Sequence, residues 1–157
     1  MSRGVRILIG VVAVLAAIWV KVRVESAQRL AIARDAEPSQ PMVAITAYRQ
    51  AIRWYSPGSG PVDEAVASLE RLGSEYDTRD PALALMSWRA LRSALFAARS
   101  FYQPYPDKIG LANGHIARLM AAQEAPDPAK LAEREAHHLA LLARDHAPNV
   151  GWSLLAV

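Results

Sequence analysis

The chain has 157 residues, of which 52% are hydrophobic, 21% charged and 7% aromatic, and it has no Cys. That length suits one ordinary domain and not two, and the apolar share argues against a largely disordered chain. The missing thiols exclude disulfide scaffolds, cysteine-ligated metals and thiol nucleophiles. The formal charge is +3, but Arg3, Arg6, Lys21 and Arg23 all flank one apolar run, and residues 24–157 carry 14 basic against 15 acidic side chains. The surplus of cations therefore belongs to the flanks of that run. A nucleic-acid surface needs a clustered basic face and is not expected.

Residues 7–20 read ILIGVVAVLAAIWV, without a polar side chain. As a helix they rise about 21 Å, against a hydrocarbon core of about 30 Å. Continuing to residue 24 adds only Lys21 and Arg23, whose stems can snorkel, and the segment becomes long enough to cross. Residues 1–24 are thus predicted to be a transmembrane anchor. Ile7, Val11 and Leu15 face lipid, and Trp19 suits the interface. A cleaved secretory signal is the competing reading, since an apolar core preceded by Arg fits it. Lys21 and Arg23 stand where small uncharged residues are preferred. The one passable cleavage site, Val24-Glu25-Ser26 before Ala27, is poor. Flanking charge does not fix the orientation. Because a long following domain translocates largely regardless of charge, the expectation is a bacterial inner membrane with the domain in the periplasm.

The rest of the chain reads as helix, with Pro and Gly as punctuation and no sustained strand alternation. The anchor helix is expected to continue to about Ala36, where Pro38 and Pro41 stop it, so that residues 25–41 form an extension and linker. A second helix is predicted over 42–55, burying Val43, Ala47, Ile52 and Tyr48 or Tyr55. SPGSGP at 56–61 is a turn, with Pro61 opening a third helix that runs to about Tyr76. Ala65, Val66, Leu69, Leu72 and Tyr76 share one face of that helix. Asp80-Pro81 is an N-cap followed by Pro at the first position. It starts a fourth helix, to about Phe101, with Leu85, Trp88, Leu91, Leu95 and Phe96 toward the core. FYQPYPDK at 101–108 is a break. A fifth helix runs from Asp107 to about Glu124 with Ile109, Leu111, Ile116, Leu119 and Met120 apolar. Asp127-Pro128 then repeats the cap. The sixth helix, to about Arg144, is expected to bury Leu131, Leu139 and Leu142 or Leu141. The helical domain spans 42–147. Residues 148–157 are an apolar tail that reads as core-packed or as the start of a second span.

Part of this pattern is familiar. Ala47, Tyr48 and Ala51 followed by a Pro turn, then Leu72-Gly73-x-x-Tyr76, then Ala84, Trp88 and Leu91, resemble tetratricopeptide-like repeats over residues 42–95. The resemblance implies an all-α array of antiparallel helices behind the transmembrane helix, with Gly73 at a close crossing and a protein-binding role. The turn at 78–81 is one residue shorter than the consensus, and Asp80 stands where Gly is usual. The layout also resembles bacterial membrane proteins in which a helical region sits beside one or two spans.

Residues with chemistry are sparse. His137 and His138 are adjacent and point about 100° apart on a helix. No H-E-x-x-H or i, i+4 His pair occurs, so no metal site or cofactor is expected. SPGSGP is neither a nucleophile elbow nor a phosphate loop. Asp63 and Glu64 suit the start of a helix. Aromatic residues stand out: Trp54-Tyr55, Trp88, and Tyr102 and Tyr105 in the Pro-bounded loop. Core packing at helix crossings is the first reading of them; the second is a partner-docking groove with arginines such as Arg92. The predicted role is a non-catalytic membrane scaffold that docks a protein partner through Trp54, Tyr55, Trp88, Arg92, Tyr102 and Tyr105, with no small-molecule substrate evident. An accessory subunit held through its span is the first alternative, since Gly10, Ala13, Ala16 and Ala17 would let another span approach. An enzyme of unrecognised type is the second.

Overall fold

The computed structural model describes residues 3–99, 103–124 and 127–144. These form six α-helices and no strand: α1 Arg3–Ala36, α2 Pro41–Arg53, α3 Gly60–Glu75, α4 Pro81–Ala97, α5 Pro106–Glu124 and α6 Pro128–Arg144. Every helix after α1 starts at or one residue before a proline, which has no N–H to waste and a preset φ. The Asp80 side chain accepts from the Ala82 and Leu83 amides at 3.1 Å each, closing the start of α4. Asp127 accepts from the Ala129 amide at 3.0 Å at the start of α6.

α4 ends at Ala97, short of Phe101. The Gln103 amide donates to the Leu95 carbonyl at 3.0 Å and satisfies an acceptor that another turn would have used. Phe101, Tyr102 and residues 145–157, with the apolar tail, lie outside the described residues.

Successive helices pack on one another, and α1 also touches α3 and α2 touches α4. Ser26 Oγ donates to Ala51 O at 3.2 Å, setting the C-terminal end of α2 beside the point where α1 first becomes buried. Ser87 Oγ donates to Leu69 O at 2.8 Å and fixes α4 on α3. Ion pairs tie the layer formed by α1, α3 and α5: Arg34 forks onto Glu64, Arg71 meets Glu37 at 2.6 Å, Lys108 meets Glu70 at 2.9 Å, and Arg118 meets Asp77.

The core is built of Ile45, Tyr48, Ile52, Leu69, Leu72, Trp88, Leu91, Leu95 and Ile116, with alanines between them at the crossings. Buried Ala33, Ala44, Ala51, Ala65, Ala84 and Ala94 let the axes approach closely. Two expectations need correcting. Val43 is 45% exposed, because the buried face of α2 runs through Ala44, Ile45, Ala47, Tyr48, Ala51 and Ile52 and leaves Val43 to one side. In α6, Leu139 and Leu141 are 42% and 45% exposed, whereas His138 is buried and Leu131 and Leu142 are half-buried. His138 Nε2 meets Glu124 at 3.0 Å across the α5–α6 hairpin, which gives the inward-facing histidine a polar partner.

Trp88 leaves no room for a side chain at position 73. A Cβ at Gly73 would stand 2.6 Å from Trp88 Cε2 and 2.7 Å from Nε1. The other face of the indole stacks on His115, with centroids 4.1 Å apart and planes 6° from parallel. The ring is pinned between two helices and cannot retreat. Gly73→Ala is therefore expected to cost about 1–3 kcal/mol as an overpacking change, over and above any gain in helix propensity. Thermal unfolding of the full chain in detergent, followed by circular dichroism, measures it. Adding Trp88→Leu should recover part of that loss, because the two changes share one contact.

Candidate functional site

The aromatic residues singled out from the sequence are divided among three places. Trp88 is 1% exposed and lies inside the α3–α4–α5 packing, so its indole has no surface to offer a partner in this structure. Arg92 is an internal clip: Nε donates to Asn113 Oδ1 at 2.7 Å, Nη2 donates to Leu142 O at 3.2 Å, and the guanidinium lies over the Phe96 ring. Tyr55 and Tyr105 do meet, while Trp54, next to Tyr55 in the chain, lines a depression with Arg29 and Arg53. The Tyr55 and Tyr105 rings meet edge to face at 6.3 Å, and Tyr105 Oη donates to Asp63 in the first turn of α3. Tyr105 holds φ at 49°, a left-handed conformation that costs a bulky residue about 1–2 kcal/mol. Its two ring-and-hydroxyl contacts hold it there. Tyr102 lies outside the described residues.

The open surface is elsewhere, on the side formed by α2 and α4. A groove of about 550 Å³ runs between them, walled by Arg49 and Arg89 with Thr46, Leu85, Met86 and Ser93. An apolar extension of about 530 Å³ continues past Met42, Val43 and Leu83, sharing Ala82 and Met86 with the first. Neither arginine has an ion-pair partner among the described residues. Sequence reasoning missed these residues. The signal was present in the spacing: Arg49 and Arg53, and Arg89 next to Trp88, fall on helix faces opposite the apolar stripes, and Met42 and Val43 sit at a helix start where no neighbour covers them.

A third depression, of about 530 Å³, lies between α1 and α2 and is lined by Arg29, Gln50, Arg53 and Trp54, the last 37% exposed. Among the described residues no three His, Asp or Glu side chains converge as metal ligands would. Compared with known proteins, the chain matches no family model, no curated protein and no solved structure.

The remaining titratable oddity is structural. Burial pushes the His115 imidazole below the ordinary histidine range, the Arg118 cation beside it pushes the same way, and Asp77 opposes both. Burial likewise raises the Tyr48 phenol, reinforced by its 2.6 Å bond to Glu37. A neutral His115 stacked on Trp88 means that the unfolded chain takes up a proton near pH 6.5 that the folded chain refuses. Stability linked to His115 is therefore complete above about pH 6.5 and is lost as pH falls from there through the lowered folded value. The native chain should lose more stability between pH 8 and pH 5 than His115→Gln does. Chemical denaturation at the two pH values in detergent reads the difference, and equal losses would show that His115 does not titrate against folding.

Proposed function

We propose that this chain is a non-catalytic, membrane-anchored scaffold. α1 crosses a bacterial inner membrane, and the helical array behind it, of tetratricopeptide-like build and on the periplasmic side, docks a protein partner. The observation that carries the reading is the coverage of α1. Its N-terminal part is long and apolar enough to cross a membrane, and the fold buries none of that window. From Ser26 onward the same unbroken helix is packed into the domain through Ser26, Leu30 and Ala33. An apolar helix left bare by its own domain asks for lipid.

The docking surface is the α2–α4 groove. Its chemistry selects the occupant: a partner segment whose acidic side chains reach Arg49 and Arg89 and whose apolar side chains rest on Met42, Val43, Leu83 and Met86. Trp88 and Arg92 act in this reading as supports beneath the surface. The second reading, an accessory subunit held through its span, is favoured by the open flank of α1, where Gly10 has no neighbour within 4 Å and Ala13, Ala16 and Ala17 are exposed.

Site-specific photocrosslinking in the native membrane separates the two. A photoreactive residue at Met86 should yield a discrete partner adduct, and one at Glu75 on α3 should not. Arg49→Glu with Arg89→Glu should lower the adduct about tenfold or more, as expected when like charges replace a complementary pair. Adduct formation that survives charge reversal but is lost when residues 7–24 are exchanged for an unrelated apolar helix would assign the partner to the span.

A further inference from the structure

We propose that Arg29, Arg53 and Trp54 form a headgroup site for an anionic phospholipid, which draws the near end of the helical domain down onto the bilayer. The proposal rests on α1 crossing the membrane and adds a ligand class to that reading.

The first support is depth. The apolar run ends at Val24, and Arg29 is five residues further along the same helix, about 7.5 Å higher. The headgroup layer of a bilayer is about 5–8 Å thick on each side. Side chains on a helix slope toward its N-terminus, so the Arg29 stem leans back toward the lipid. The Ser26–Ala51 hydrogen bond sets the C-terminal end of α2 at this same level, which brings Arg53 and Trp54 to the headgroup plane beside it.

Charge is the second. The two guanidiniums and Gln50 line a depression with no carboxylate in its wall, and neither Arg29 nor Arg53 has an ion-pair partner among the described residues. Guanidinium forks match phosphate oxygens in pairs, and cations near an anionic leaflet are drawn to it. Trp54, half out of the protein at the helix end, supplies the amphipathic ring that interfaces favour. Nearly two turns lower, Arg23 lies over the Trp19 ring at 4.7 Å, so the same cation-and-indole pairing marks the boundary of the span itself.

The test uses the full chain in bilayer discs of phosphatidylcholine, or of phosphatidylcholine with a third replaced by phosphatidylglycerol. Acrylamide, a neutral quencher, reports solvent access to Trp54, whose emission is the difference between the native chain and Trp54→Phe. Phosphatidylglycerol should cut that access about twofold or more, as a tryptophan drawn into the headgroup layer loses water. The protection should vanish in Arg29→Gln/Arg53→Gln and persist in Arg29→Lys/Arg53→Lys. Equal access in both lipids, or protection that the glutamine pair retains, overturns the site. Protection by millimolar inorganic phosphate in phosphatidylcholine alone overturns the lipid as its occupant in favour of free phosphate. Trp19, read the same way through Trp19→Phe, should be shielded in every disc. A Trp19 open to acrylamide overturns the span and this site with it, whereas a shielded Trp19 with an indifferent Trp54 overturns the site alone.

Discussion

The helical array depends on an indole lying flat against a backbone. Trp88 fills the space that a side chain at position 73 would occupy, and His115 closes over its other face. Three helices are thereby held in one register, since neither α3 nor α5 can shift along α4 without striking the ring. The arrangement leaves the buried Trp88 Nε1–H without an acceptor among the described residues. An unmet donor costs about 1–3 kcal/mol, so dispersion and area burial over a whole indole must outweigh it. The same packing keeps His115 neutral, which links the mechanical centre of the domain to pH.

Around that centre the charges are sorted by layer. Every acidic group on α3 is engaged: Asp63 by Tyr105, Glu64 by Arg34, Glu70 by Lys108 and Glu75 by Arg71 and Arg79. Such exposed pairs each contribute little to stability, about 0–1 kcal/mol. Their larger effect is on what is left over. With the carboxylates turned to ties among α1, α3 and α5, Arg29, Arg49, Arg53 and Arg89 remain on the other side with their charge available. A domain of almost zero net charge thus keeps arginines in two of its depressions.

The helices were legible in the sequence because proline, glycine and Asp-Pro caps are local signals, and local chemistry starts and stops a helix wherever the chain later packs. A close contact at Gly73 was what the resemblance to tetratricopeptide-like repeats implied. What could not be read was which face wins when two are nearly equal. α6 offers Leu139, Leu141 and Leu142 around His138, and it is His138 that is buried, beside Glu124 of another helix. Val43 gave way to Ala44, since small residues were needed where α2 crosses its neighbours. The candidate site was legible only in part. Sequence marked the aromatic residues, but burial took Trp88 inward, hydrogen bonding tied up Arg92, and the α2–α4 groove arises from an adjacency that no local spacing encodes.

No glycine or proline interrupts α1 between Val11 and Ala36, and the helix is continuous through the boundary at Val24. A hinge at that boundary would have let the array swivel; an unbroken helix makes it an arm bolted to its axle. In the proposed reading, whatever azimuth the bare half of α1 took in the bilayer would be handed on to the groove between α2 and α4. The compass bearing of that groove is then dictated from below, by how the stem is seated.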